Sequence, residues 1–134
     1  MPYEALLATI DKKTYSKLTM QKIMLSYYKN AFGNKKDASR TLYRLCVESL
    51  QKSLIEIKTA IECDDYIGLY AALHKLKGVL GSTGFIGLMD DADILCRYVK
   101  ALGRGEIQNM SDEFISALER FKTPLLTLCE PKND

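Results

Sequence analysis

The sequence predicts an all-α protein, an antiparallel four-helix bundle with additional N-terminal helices. Three observations carry this. First, apolar residues recur at helical spacing. Leu69, Leu73, Leu76 and Leu80 stand at i, i+4, i+7 and i+11, and Leu88, Ala92, Leu95, Val99 and Leu102 are spaced 4, 3, 4 and 3, the second run being a heptad-like seam. Second, the joins between these stripes are short and rich in capping residues, which makes successive helices antiparallel neighbours. Third, no segment alternates with period two, so no strand is expected.

The elements follow in order. Pro2 suits a first helical turn, where its missing N–H is not needed, and Tyr3 to Ile10 reads as a short helix. After a polar break at Asp11 to Thr14, a second helix is expected from about Tyr15 to Phe32. Leu18, Ile23, Met24, Tyr27, Tyr28 and Ala31 lie roughly on one side of it, and Gly33-Asn34 ends it. Asp37 is the expected N-cap of a long third helix reaching Cys63. Its buried side runs through Leu42, Leu45, Cys46, Ser49, Leu50, Ser53, Leu54, Ile57 and Ile61. Asp64 or Asp65 caps the fourth helix. Gly84 is placed to terminate that helix in the left-handed conformation, with Phe85 folding back on its last turn.

The fifth helix carries the 88–102 seam. Asp90, Asp91 and Asp93 stand off the seam near its start, which reads as a solvated face complementing the helix dipole rather than as a carboxylate metal site. Gly103-Arg104-Gly105 breaks the pattern, and Glu106 to Met110 reads as a loop. Ser111, with Glu113 and Phe114 behind it, marks the start of the last helix. Phe114, Leu118, Phe121, Leu125 and Leu128 form its apolar stripe. Pro124 falls inside it, so a kink or local break is expected there. The PKND tail reads as loose. The domain reading is a single domain over 1–134, with a helical extension at 1–34 and the four-helix bundle at 37–129.

Composition narrows the function classes. The chain has 134 residues, 47% hydrophobic and 27% charged, with a net charge of +2; these suit one globular domain with one core. No apolar run approaches the ~20 residues of a membrane span, and the N-terminus has no basic leader followed by a long apolar segment, so a cytoplasmic location is expected. No Lys/Arg run suggests nucleic-acid binding. Cys46, Cys63, Cys96 and Cys129 are widely spaced without a CxxC pair, which favours reduced, buried thiols over zinc or disulfides. There is no GxxxxGK[ST] loop. The one histidine is too few for a usual protein-derived metal site, although a haem can use one axial histidine.

That histidine, His74, is the candidate reactive group. At about 100° per residue it points about 130° away from the centre of the 69–80 stripe, toward the outside. Gly78 and Gly81 follow on the same outer side, one and two turns on. Each glycine costs about 1 kcal/mol in a helix interior, and glycine is the residue of choice where another molecule must come close. Lys77, at i+3 from His74, shares its neighbourhood; Lys75 points about 100° round the helix. An exposed imidazole near pH 7 is mostly neutral, with a lone pair free to attack phosphorus.

The run His74-Lys75-Leu76-Lys77-Gly78, followed by Gly84, resembles the signature of histidine-containing phosphotransfer (HPt) domains. The chain departs from the common pattern in having Leu73 before the histidine, where a small residue is frequent, and Cys96-Arg97-Tyr98-Val99 where a Leu-Glu pair often ends the next helix. The resemblance implies a four-helix bundle carrying a phosphoryl group on His74 between receiver-domain aspartates in a two-component phosphorelay. It implies a phosphocarrier rather than an enzyme, with a response-regulator receiver domain or hybrid histidine kinase as partner and no cofactor of its own, the Mg²⁺ being expected on the receiver. On this reading Lys77 and, less directly, Lys75 stabilise the phosphate, while Ile67, Tyr70, Ala71, Gly78 and Gly81 form the docking surface; the alternative for Ile67 and Tyr70 is packing against the third helix or the N-terminal helices. The alternative is a helical-bundle interaction module in signalling that binds partners without carrying phosphate.

Overall fold

The computed structural model describes residues 2–10, 17–33, 36–101 and 110–129. Six helices account for nearly all of them, and no strand occurs among the described residues. They are α1 (Pro2–Leu7), α2 (Lys17–Phe32), α3 (Lys36–Glu62), α4 (Tyr66–Ser82), α5 (Ile86–Ala101) and α6 (Asp112–Cys129).

Helices α3 to α6 form the bundle. The turn from α3 to α4 spends its two aspartates on different tasks. Asp64 takes a left-handed φ of 53°, which aspartate tolerates better than most side chains. This lets Asp65 N–H donate to Ala60 O at 2.8 Å and close the end of α3. Asp65 is then the N-cap of α4, its carboxylate accepting from Gly68 N–H at 2.9 Å. Gly68 leaves room for that carboxylate, which a Cβ would strike. Antiparallel pairing of α3 with α4 follows, with Lys75 opposite Glu56.

At the other end of α4, Thr83 is the C-cap and Gly84 adopts φ 86°. Phe85 N–H donates to Leu80 O at 3.0 Å, and the Phe85 ring is buried, as in a Schellman closure. The chain reverses into α5, which returns along α4. Between α5 and α6, Tyr98 Oη donates to Ser111 Oγ at 3.1 Å and its ring stacks on Phe114 at 4.7 Å. Ser111 Oγ accepts from Phe114 N–H at 3.1 Å, the expected cap.

Leu69, Leu73, Leu76 and Leu80 of α4, and Leu88, Ala92, Leu95 and Val99 of α5, are all buried, as are Phe114, Leu118, Phe121, Leu125 and Leu128 of α6. Burying a large aliphatic or aromatic side chain contributes roughly 1.5–3 kcal/mol. The N-terminal helices share this core. Leu7, Met20 and Met24, together with Ile10 just past α1, are at most 1% exposed and join the same hydrophobic cluster. Arg120 of α6 donates to Leu7 O at 3.2 Å and ties down the end of α1.

Several expectations need correction. α1 ends at Leu7, with Ala8 and Thr9 in a turn. On α2 the buried stripe is Met20, Met24 and Tyr28, while Leu18, Tyr27 and Ala31 are exposed. The buried three recur at i, i+4 and i+8, and Met20 lies outside the expected stripe. Asp37 lies inside the first turn of α3 rather than before it, where its charge still favours the helix dipole. Leu45 is exposed, lining an open groove between α2 and α3.

Asp91 is buried and Asp93 half-buried, so only Asp90 of the three aspartates belongs to a solvated face. Of the kink or local break expected at Pro124, the break does not occur: α6 runs from 112 to 129. Pro124 is itself buried between Phe121 and Leu125, and that packing outweighs the missing backbone hydrogen bond. Of the thiols, Cys46 and Cys96 are buried, but Cys63 is exposed; none of the four is in a disulfide. The expectations for Asp11 to Tyr15, Asn34, Leu102 to Asn109 and the PKND tail fall outside the described residues.

Candidate functional site

The outer face of α4 is set by its inner face. Burial of Leu69, Ala72, Leu73, Leu76 and Leu80 against the core leaves His74 on the exposed side. One turn before it, the Tyr70 ring stacks on the imidazole, with centroids 6.1 Å apart and planes 13° from parallel. Tyr70 is half-buried against the core, so it gives the imidazole a fixed floor. Ala71 and Ile67 are exposed, Ile67 at 73%. With Gly78, also exposed, they make a continuous strip along one side of α4 that includes His74.

The two outer glycines have different causes. A Cβ on Gly78 would meet nothing within 4 Å. No packing among the described residues demands glycine there, and Gly78 is exposed. A Cβ on Gly81 would lie 2.7 Å from Met89 Sδ, so the Met89 side chain on α5 would have to shift to admit one. Gly84 is required twice, by its positive φ and by Tyr27, whose side-chain atoms would stand 3.0–3.2 Å from a Cβ.

The lysines beside His74 lean away to opposite neighbours. Lys75 Nζ is 3.7 Å from Glu56 Oε1 on α3, with both side chains largely in solvent. Lys77 Nζ is 2.8 Å from Asp93 Oδ1 on α5. That carboxylate also receives Arg97 Nε at 3.0 Å. The hydrogen bond to Asp93, and then its charge, raise Lys77 above the ordinary lysine value. The ammonium is thus held charged across the neutral range. Asp93 is the residue that the sequence reading missed. It lies 16 positions from Lys77 on another helix, and a spacing rule within one helix does not reach it.

No helix among the described residues is long and apolar enough to cross a membrane. No group of three or more His, Cys, Asp or Glu side chains among them could hold a metal ion.

Fold and site together define a class: a helical bundle that displays one imidazole on an outer helix face, beside uncovered backbone. The model of the Hpt domain family matches residues 41–123, a span that contains His74 and most of the bundle. This chain belongs to the Hpt domain family. Domains of this family act in histidine phosphotransfer within phosphorelays, are phosphocarriers rather than kinases, and interact with receiver domains. Neither the curated proteins nor the solved structures yield a match to this chain.

Proposed function

We propose that the protein is a cytoplasmic phosphocarrier that holds a phosphoryl group on His74 between receiver-domain aspartates. The observation that carries this is the exposure of His74 inside the matched span, next to a glycine that no packing among the described residues requires. In the transfer step the Nε2 lone pair of the neutral imidazole attacks the phosphorus of an aspartyl phosphate. The N–P bond forms, the P–O bond to the aspartate breaks, and the aspartate leaves as a carboxylate. The Nδ1 proton stays on the ring, so no base on this chain is needed.

The residues divide the remaining work. Tyr70 orients the imidazole from below. Gly78, with Ala71 and Ile67, lets the partner's aspartate come within bonding distance, an approach that any larger side chain at 78 would obstruct. Lys77 and, less directly, Lys75 provide positive charge near the incoming group. The carrier needs no cofactor of its own on this reading, because the receiver brings the Mg²⁺ and the acidic residues that handle it.

Incubation with a phosphorylated receiver domain is expected to place acid-labile, base-stable phosphate on the wild-type chain and none on His74→Gln. A His74→Gln protein that still accepts label would end the proposal. Partner binding that survives this substitution unchanged, without label on the wild type, would favour the phosphate-independent interaction module.

A further inference from the structure

Asp93 lies outside the motif that singles out His74, yet it holds the motif's lysine. Its two oxygens face two cations, Lys77 Nζ at 2.8 Å and Arg97 Nε at 3.0 Å. The Asp93 side chain is 26% exposed and that of Lys77 35%, whereas Arg97 is mostly in solvent. Arg97 stands at i+4 from Asp93 on α5 and steadies the carboxylate from the outer side. The other lysine near His74 is paired as well, with Glu56. Both cations flanking the reactive imidazole are therefore already facing carboxylates.

We propose that Asp93 is a positioning residue for the carrier: it competes with a phosphoryl group on His74 for Lys77, leaving the phosphohistidine under-neutralised and ready to be given away. The inference rests on the reading of His74 as the phosphorylated residue. A phosphoryl group on Nε2 places its negative charge one helical turn from Lys77. To reach it, the ammonium must give up a short charge-assisted hydrogen bond and leave Asp93 with Arg97 alone. This competition raises the free energy of the phosphorylated state relative to a bundle with an unengaged Lys77. A carrier needs this balance, since a phosphoryl group held too firmly is not passed on.

The test needs no partner protein. Phosphoramidate phosphorylates the full chain: His74 Nε2 attacks phosphorus, the N–P bond to the imidazole forms, the donor's P–N bond breaks, and ammonia departs with the bonding pair. The protonation midpoint of the phosphohistidine is then read by ³¹P NMR titration in wild type, Asp93→Asn, Lys77→Gln and the double variant. Asp93→Asn is expected to lower the midpoint by about half a pH unit, roughly threefold in proton affinity. The shift is expected to be much smaller when Lys77→Gln is already present. Asp93→Glu, which keeps the charge, is expected to stay near wild type, and Asp93→Ala to follow Asn, so the result does not hang on one variant folding. A labelled wild type whose midpoint equals that of Asp93→Asn, or a full shift retained in the Lys77→Gln background, overturns the inference and leaves the carrier reading standing. Absence of label on His74 in the wild type takes down both.

Discussion

Gly78 sits in the middle of α4 with open space where its side chain would be. In an isolated stability argument it is a poor choice, since alanine would be favoured there by about 1 kcal/mol. Gly78→Leu is therefore expected to leave helicity intact and thermal stability equal or higher, by circular dichroism. It is also expected to slow phosphoryl transfer from a receiver domain by about a hundredfold, while labelling by the small donor phosphoramidate persists. Equal loss with both donors would show that the leucine damages His74 itself rather than the approach to it.

The direction of His74 could be read from the sequence because angle follows from residue count once the buried stripe is known. The partners of its neighbours could not. Lys77 meets Asp93, and Lys75 meets Glu56, across helix interfaces. Gly81, grouped with Gly78 by its position on the helix, has Met89 of α5 beside it, whereas Gly78 has open space. Position on a helix says which way a residue faces, but not whether another helix is there.

At the scale of elements, the ends of α4 were the most legible. Asp65 and Gly84 each have a local chemical job that little else in the sequence can do. Gly84→Ala is expected to cost about 1–3 kcal/mol, because it forces an L side chain to positive φ against the Tyr27 side chain. The fall in the urea midpoint measures this; an unchanged midpoint would mean that the turn rearranges freely. Helix α2 was less legible. Its apolar residues surround much of the helix, so several stripes fit, and tertiary contact decides for Met20, Met24 and Tyr28. Pro124 shows the reverse case: the helix continues through a strong local breaking signal, with buried Phe121 and Leu125 close by.

For the molecule as a whole, several groups bind their protons more tightly when folded. Burial pushes the Cys96 thiol from 9.0 to about 11, with the Asp93 charge adding to the effect. Burial also raises Cys46 and Tyr28, and the hydrogen bond to Asp93 raises Lys77. The sign is the same for all four: the unfolded chain loses these protons first as pH rises. Stability is therefore expected to hold up to about pH 9 and to decline above it. Cys96 alone accounts for about 2 kcal/mol between pH 9 and pH 11. Urea unfolding across this range measures the slope, and Cys96→Ser, which does not ionise there, is expected to flatten it. A wild-type stability that stays constant to pH 11 would contradict the burial of Cys96, Cys46 and Tyr28.

The all-α class and the bundle helices were legible because their apolar periods are long and regular. What the periods did not reveal is that the first two helices contribute to the same interior. Leu7, Ile10, Met20 and Met24 come from two short N-terminal stretches, yet they join the same buried cluster as the bundle helices.

That shared interior bears on anyone who would excise the recognisable portion. Scissors placed at the family's borders, 41 and 123, would discard those four side chains and cut α6 before Leu125 and Leu128. The shortened piece would keep its imidazole but expose a raw, greasy flank, inviting aggregation before any relay chemistry could be observed.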